Sequence, residues 1–197
     1  MHLLIATKNA GKAAELAAMF GGLGVDCEPL PSDAPDVEET GTTFRANAVL
    51  KAAAYAEHFG TACLADDSGL EVAALGDAPG IYSARFAAMH DAGSGDAANN
   101  ALLLEKLAGV DDRSARFVCV LALCDEHGRL RLTTRGHVPG AIVHEPRGDH
   151  GFGYDPLFEH DGRTMAERSA DEKAALSHRG VAARRMAELL GTHPIGV

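Results

Sequence analysis

The spacing of apolar residues predicts that the chain begins with a strand, a tight loop and a helix. The apolar run HLLIA at residues 2–6 is typical of a short buried strand, and the polar segment TKNAGK that follows predicts a loop. The alanine-rich stretch KAAELAAMF then predicts a helix, for which Asn9 is a good N-cap residue. A second short strand, VDCEPL, is predicted at residues 25–30.

The strongest helical pattern covers residues 44–59, FRANAVLKAAAYAEHF. Asn47 and Lys51 are four residues apart, so they share one face of this helix, and Gly60 ends it. Another face is apolar, because aromatic residues and alanines recur at steps of three and four. They are Phe44, Ala48, Ala52, Tyr55 and Phe59.

The segment TACLA at residues 61–65 predicts a buried strand that ends in two adjacent carboxylates, Asp66 and Asp67. After this pair, LEVAAL at residues 70–75 predicts a further strand. Desolvation and like-charge repulsion both oppose two adjacent carboxylates at the end of a buried strand, unless positive charge lies beside them. A divalent cation would supply that charge, since Mg²⁺ is commonly held by one or two carboxylates together with substrate phosphates. A simple turn is the alternative, because Asp, Ser and Gly favour turns.

The second half of the chain predicts a helix, a β-hairpin and a helical C-terminal region. ALLLEKLAG at residues 101–109 has a helical pattern, and two long apolar segments at residues 113–126 and 129–138 predict hairpin strands. Ser169 and Glu172 form a capping box for a helix that Gly180 interrupts. Residues 88–100 predict a flexible connection between two lobes. Helices and strands alternate early and a hairpin follows, which indicates an α/β fold with a mixed sheet.

Length, charge and cysteine content narrow the class of protein. The 197 residues fit one domain, residues 1–197, and 46% of them are hydrophobic. The net charge of −10 disfavours binding to nucleic acid or to a membrane surface. No apolar run is long enough to span a membrane, and the N-terminus lacks the features of a signal peptide, so we expect a cytoplasmic enzyme. The four cysteines form no CxxC pattern and are expected to be buried apolar residues.

Two polar segments near the N-terminus are candidates for binding phosphate and metal. In TKNAGK, a loop at a helix start offers backbone N–H groups and Lys12 to an anion, although it is not a Walker loop and an ordinary helix start is the alternative. Glu38 and Glu39 precede the strongest helix. They are candidate metal ligands only if the fold brings them beside Asp67.

Two further segments are candidates for recognising a base. In GFGYDP at residues 151–156, Phe152 or Tyr154 could stack on a flat ligand, and Asp155 could accept from a ring N–H group. A turn with inward-packed aromatic rings is the alternative. Lys173 and Arg179 offer donors near a helix end, where a solvated basic terminus is equally common.

In combination, these segments resemble the inosine triphosphate pyrophosphatase family, which hydrolyses non-standard purine nucleoside triphosphates such as XTP, ITP and dITP. The resemblance extends nearly from end to end. It comprises, in order, TKNAGK, EETGTTFRANAVLKA, ADDSGLEV, APGIYSARFA, GFGYDPLF and EKAALSHRG.

The resemblance implies a Mg²⁺-dependent homodimer that converts a nucleoside triphosphate and water to the monophosphate and pyrophosphate. It also implies an elongated mixed sheet flanked by helices, with a central cleft between two lobes. By motif position, Asp67 matches the catalytic acceptor and a metal ligand, Glu39 matches a metal-linked acid, and Lys51 matches the catalytic lysine of the NAxxK motif. The matching substrate-binding positions are Thr7, Lys8, Asn9, Ala10, Gly11, Lys12, Ser68, Phe152, Gly153, Tyr154, Asp155, Lys173, His178 and Arg179.

The resemblance suggests a physical hypothesis for how the purine base is selected. Hypoxanthine and xanthine carry a 6-oxo acceptor where adenine carries an amino donor, and Lys173 and Arg179 offer only donors.

Two other functions are compatible with the same motifs. One is a pyrophosphatase for modified pyrimidine or other nucleoside triphosphates, and the other is a nucleotide-binding module without catalysis.

Overall fold

The computed structural model describes residues 2–192, without the side chain of Thr192. Its strands and helices alternate in the first half of the chain, as the apolar pattern predicts. The strands are β1 (His2–Ile5), β2 (Asp26–Pro29), β3 (Cys63–Val72), β4 (Ser114–Cys124), β5 (Leu130–Ile142), β6 (Phe158–His160) and β7 (Arg163–Thr164). The helices are α1 (Ala10–Gly22), α2 (Phe44–Phe59), α3 (Asp96–Lys106), α4 (Ala170–Leu176) and α5 (His178–Thr192).

The strands form one mixed sheet in the order β2-β1-β3-β4-β5-β6-β7. β1 is parallel to both β2 and β3, whereas β5 pairs antiparallel with β6, and β6 with β7. This mixture confirms the predicted α/β class. The two shortest strands, β6 and β7, were not predicted, because two or three residues carry too little periodicity.

β3 runs through the aspartate pair, and the prediction of two separate strands there is wrong. The strand continues from Cys63 to Val72, with Asp66, Asp67 and Ser68 in its interior. Successive side chains of a strand point to opposite faces, so the two carboxylates lie on different faces of the sheet. The local turn preference of Asp-Ser-Gly is overridden because each carboxylate meets its own cation, as described below.

The helix boundaries are predicted well at α2 and less well at the C-terminus. α2 begins at Phe44, with Thr43 as N-cap, and ends where Gly60 adopts a left-handed conformation. The break between α4 and α5 falls at Ser177, whose backbone is extended, and Gly180 stays helical. β5 passes close to the start of α5. A Cβ at Gly136 of β5 would lie 2.0 Å from the carbonyl oxygen of His178, so only glycine allows β5 to approach the start of α5.

The chain divides into two compact units. The first unit contains residues 2–67, 119–136 and 178–192 of the described chain, and the second contains residues 68–118 and 137–177. Each unit has its own apolar core, which includes Leu3, Phe20 and Leu121 in the first, and Leu70, Leu107 and Phe158 in the second. Residues 88–100 belong entirely to the second unit and include the start of α3, so the prediction of a connection between lobes is wrong.

Candidate active site

Asp66 is fully buried in the first unit and is surrounded by the protein's own donors. Lys12 Nζ lies 2.7 Å from its Oδ1 atom, Arg179 Nε lies 3.1 Å from Oδ2, and the Cys119 thiol donates to Oδ2 at 3.0 Å. Burial alone would raise the pKa of Asp66, but the charges of Arg179 and Lys12 hold it well below its usual value. Lys12 and Arg179 therefore favour the ionised form of Asp66 and supply positive charge that compensates it.

Arg179 is buried against two carboxylates. It is 2% exposed, and besides Asp66 its Nη1 atom lies 2.5 Å from an oxygen of Glu15 on α1. The prediction that Arg179 presents donors to a base did not include these ion pairs. Sequence inspection also missed Glu15 and Cys119, because their roles depend on contacts across 164 and 53 residues of chain, respectively.

Asp67 meets a different set of groups. Lys51 Nζ lies 3.1 Å from Asp67 Oδ1 and 2.5 Å from Glu39 Oε1, so one ammonium group contacts both carboxylates. Burial raises the pKa of Asp67, an effect opposed by Lys51 and Lys12 and reinforced by Glu39. The pKa of Lys51 is also raised, because Asp67 and Glu39 outweigh its desolvation. The loop of Glu39 is thus brought beside Asp67, which spacing alone did not show.

The donor set at Asp67 fits a hard divalent cation. The Oδ2 atom of Asp67 is buried and has no hydrogen-bond partner within residues 2–192. A buried carboxylate oxygen is costly to leave without a partner, and Mg²⁺ needs only one or two carboxylates when phosphates and waters complete its shell. Over the described residues no group of three His, Cys, Asp or Glu side chains forms a cage, so the protein itself offers a two-carboxylate site.

The TKNAGK loop has the geometry of an anion-binding helix start. Asn9 caps α1 by accepting from the backbone N–H of Lys12 at 2.9 Å, and its own N–H donates to the Thr7 hydroxyl. Ala10 and Gly11 form the exposed first turn, where backbone N–H groups and the helix dipole favour an anion. Lys8 is exposed and pairs with Asp36. The predicted N-cap is confirmed.

In the second unit, the GFGYD segment surrounds a buried ion pair. Lys173 Nζ lies 2.5 Å from Asp155 Oδ2, which also accepts from the backbone N–H of Phe152 at 2.9 Å. The ammonium group lies 4.7 Å from the centre of the Phe152 ring. Tyr154 is 4% exposed and donates its hydroxyl to a backbone carbonyl, so its ring belongs to the core, whereas Phe152 is half-buried.

Helix α3 holds this segment at Gly153. The Asp96 carboxylate accepts from the Gly153 N–H at 2.6 Å, and the Asn100 side-chain amide donates to the Gly153 carbonyl at 2.9 Å. Gly153 itself has a φ of +64°, which favours glycine. Asp96 and Asn100 were not predicted, although their four-residue spacing places them on one helix face.

The predicted site residues divide between the two units. Thr7 to Lys12, Glu39, Lys51, Asp67, His178 and Arg179 lie in the first unit, and Ser68, Phe152 to Asp155 and Lys173 lie in the second. His178 begins α5 and is 5% exposed. Ser68 follows Asp67 on β3 and is partly exposed.

The mixed sheet carries paired carboxylates and lysines beside a helix N-terminus that favours an anion. These features define the class of protein as an α/β enzyme with a candidate phosphate-binding site. The chain belongs to the Ham1 family, whose model matches residues 3–189. It is 54% identical over 190 residues to a dITP/XTP pyrophosphatase of an Exiguobacterium species, covering 94% of this chain and 95% of that protein. It is also 47% identical over 194 residues to the dITP/XTP pyrophosphatase of Deinococcus radiodurans, covering 98% of this chain and 92% of that protein.

Solved structures agree in fold. A HAM1 protein from Coxiella burnetii superposes with a TM-score of 0.86 at 41% identity, over 98% of this chain and all of that chain. The Ham1 protein of Staphylococcus aureus gives a TM-score of 0.83 at 38% identity, over 98% of this chain and 99% of that one.

Proposed function

We propose that this chain is a nucleoside triphosphate pyrophosphatase that hydrolyses non-standard purine nucleotides, namely XTP, ITP and dITP. The observation that carries the proposal is that the Lys51 ammonium group contacts the carboxylates of both Glu39 and Asp67. A buried oxygen of Asp67 also has no hydrogen-bond partner within residues 2–192. The names of relatives about half identical over nearly the whole chain support the substrate class. One catalytic domain is proposed, since the family match spans residues 3–189.

The proposed cofactor is Mg²⁺, held by Asp67 and Glu39. When bound, it would neutralise triphosphate charge and lower the pKa of an attacking water. The two-carboxylate donor set suits Mg²⁺, which retains waters and uses substrate phosphates as further ligands.

The side chains divide the remaining work. Water attacks the α-phosphorus, the bond to the bridging oxygen breaks, and pyrophosphate leaves with that oxygen. Asp67 orients the water and accepts its proton, for which burial has already raised the carboxyl pKa. Lys51 and Lys12 screen phosphate charge, and the exposed N–H groups of the TKNAGK loop hold the phosphate tail.

For base recognition we propose roles for the GFGYD segment and Lys173 of the second unit, and for His178 and Arg179 of the first. The half-buried Phe152 ring offers a stacking face, and Lys173 and Asp155 offer a donor and an acceptor beside it. Donors placed to hydrogen-bond a 6-oxo group are left unpaired when adenine binds. This loss can lower kcat/KM for an adenine nucleotide by about 10⁴-fold relative to a 6-oxo purine nucleotide. Lys173 and Arg179 both form ion pairs with carboxylates in the structure. Selection of the base therefore depends on the hydrogen-bonding capacity that these two side chains retain.

The assembly and location of the protein are proposed from the resemblance. We propose a cytoplasmic homodimer whose partner in solution is a small-molecule nucleotide and not nucleic acid. The net charge of −10 supports the last point. No helix over residues 2–192 has the length and apolar content needed to cross a bilayer.

The function is tested by measuring pyrophosphate release from ITP, XTP, GTP, ATP and a modified pyrimidine triphosphate, with Mg²⁺ and with EDTA. The expected result is a kcat/KM for ITP and XTP at least about 10³-fold above that for ATP, and no turnover in EDTA. Equal values for ITP and ATP would refute donor-based selection. Release of single phosphates would refute the pyrophosphatase reaction, and nucleotide binding without turnover would identify a binding module.

A further inference from the structure

Helix α2 contacts the loop that carries Glu39 through three polar side chains spaced four residues apart. Asn47 Oδ1 accepts from the Gly41 N–H at 2.8 Å, Lys51 contacts Glu39 at 2.5 Å, and the Tyr55 hydroxyl donates to the carbonyl of Pro35 at 2.9 Å. The loop therefore runs back along one stripe of α2. We propose that Asn47 is a positioning residue that holds Glu39 in place for the cation, an inference that rests on the proposed function.

The contact at Gly41 is tight on both sides. Asn47 is fully buried, and a Cβ built on Gly41 would lie 2.5 Å from Asn47 Oδ1 and 2.8 Å from the Ala46 Cβ atom. Only Thr40 lies between Gly41 and Glu39, so a shift of the Gly41 backbone also shifts the backbone that carries the Glu39 carboxylate. Only glycine at 41 permits the amide of Asn47 to reach the backbone.

The orientation of the Asn47 amide follows from its partner. A backbone N–H can only donate, so the atom that faces Gly41 is the oxygen, and the Nδ2 group points elsewhere. Nδ2 has no hydrogen-bond partner in residues 2–192. A buried donor without a partner costs about 1–3 kcal/mol, which an apolar residue would avoid at a position that served packing alone. The retained amide is explained by the hold on Gly41.

Groups that orient metal ligands without touching the metal are typically worth about 10–100-fold in metal affinity. We therefore expect Asn47→Ala to weaken binding of Mn²⁺, used as a spectroscopic probe for Mg²⁺, by about 10–100-fold, measured from the electron paramagnetic resonance of free Mn²⁺. In the assay, half-saturation by Mg²⁺ shifts upward by a similar factor. At saturating Mg²⁺ kcat recovers, because cation binding recaptures the loop.

Gly41→Ala provides a second variant that leaves α2 unchanged. It displaces the same backbone by contact, so it should weaken Mn²⁺ binding as well, and the double variant should be no weaker than the worse single variant. Asn99→Ala is the matched control. Asn99 is also a buried amide that accepts from a backbone N–H, of Ala87, but it lies on α3 in the second unit. We expect this control to lower stability without changing Mn²⁺ affinity.

The outcomes separate the two proposals. Wild-type protein that binds Mn²⁺, with unchanged affinity in Asn47→Ala and Gly41→Ala, would overturn the positioning role alone. An equal loss in Asn99→Ala would also overturn it, since general destabilisation would then explain the effect. Wild-type protein that binds no Mn²⁺ and hydrolyses ITP in EDTA would overturn the proposed cation site and this inference together, and would leave the proposed hydrolysis standing. Wild-type protein that binds Mn²⁺ but hydrolyses no nucleoside triphosphate would overturn the proposed function.

Discussion

Asp66 and Asp67 are neighbours in sequence but have different environments, because β3 sends them to opposite faces of the sheet. Asp66 is held ionised by Arg179 and Lys12 and has no exposed surface. The pKa of Asp67 is raised, and one of its oxygens lacks a partner within residues 2–192. The different environments are consistent with the proposed roles, in which Asp66 is a fixed anion and Asp67 accepts a proton.

Replacing Asp67 by Asn should remove the acceptor while preserving shape. We expect kcat for ITP to fall by about 10²–10⁴-fold, the range that a general base contributes. Binding of ITP should remain measurable by calorimetry. Glu38→Gln serves as control, since Glu38 is the exposed neighbour of Glu39 and should leave kcat within about twofold. A variant Asp67→Asn that retains wild-type kcat would remove Asp67 from the chemistry.

At the scale of elements, α2 and α3 each fasten a loop that carries candidate site residues. α2 contacts the Glu39 loop, and α3 contacts both the N–H and the carbonyl of Gly153. α2 uses three polar side chains and α3 uses two, and in both helices these side chains are spaced four residues apart. A helix presents side chains four residues apart on one face at fixed spacing, so each helix contacts its loop at more than one point.

Loosening the attachment at Gly153 should impair substrate recognition more than chemistry. Asn100→Ala removes one hydrogen bond, worth about 1 kcal/mol, and should raise KM for ITP about fivefold with kcat little changed. Asp96→Asn should act in the same direction. Steady-state kinetics with ITP measures both constants. A fall in kcat at constant KM would place the Gly153 segment outside nucleotide recognition.

The capping box of α4 predicts a specific dependence of stability on pH. Hydrogen bonds from Arg163 and from the backbone of Ser169 lower the pKa of Glu172 to about 2, from an ordinary value of 4.5. A lowered pKa in the folded state contributes stability above pH 4.5, and that contribution disappears as the pH falls through about 2. Urea unfolding between pH 5 and 2 should therefore show a shallower loss for Glu172→Gln than for wild type. Parallel curves would contradict it.

Sequence predicts the elements whose signals are local. α2 is predicted with both ends, because its apolar period, N-cap and terminal glycine all lie within it. The continuity of β3 is not predictable locally, since the cations that permit it come from α1 and α5. The break at Ser177 carries no strong local signal, because the residue there is neither glycine nor proline. In the site, motif residues are found by resemblance, but Glu15, Asp96 and Asn100 depend on distant contacts.

For the whole molecule, the sign and distribution of charge determine how a polyanion is accommodated. The chain carries a net charge of −10, and the cations at the aspartate pair are already engaged by carboxylates. A triphosphate therefore requires additional positive charge. The proposed divalent cation would provide it and, held by Asp67 and Glu39, would also link β3 to the loop before α2.

Cation binding should consequently stabilise the folded chain. At a Mg²⁺ concentration about 100 times its dissociation constant, binding contributes about 2.7 kcal/mol. For a chain of this size that corresponds to a rise in Tm of about 5–10 °C. Calorimetry should show the rise in wild type and little of it in Asp67→Asn. Equal shifts in both proteins would mean that Mg²⁺ binds elsewhere.

The two ion pairs of Lys51 also affect how the site behaves when Mg²⁺ is scarce. Because this side chain neutralises Glu39 and Asp67 from within, the two carboxylates do not repel each other apart when the ion is scarce. If Mg²⁺ binds here as proposed, its removal should stop turnover and leave the arrangement of Glu39 and Asp67 in place, so activity should return when Mg²⁺ is added back.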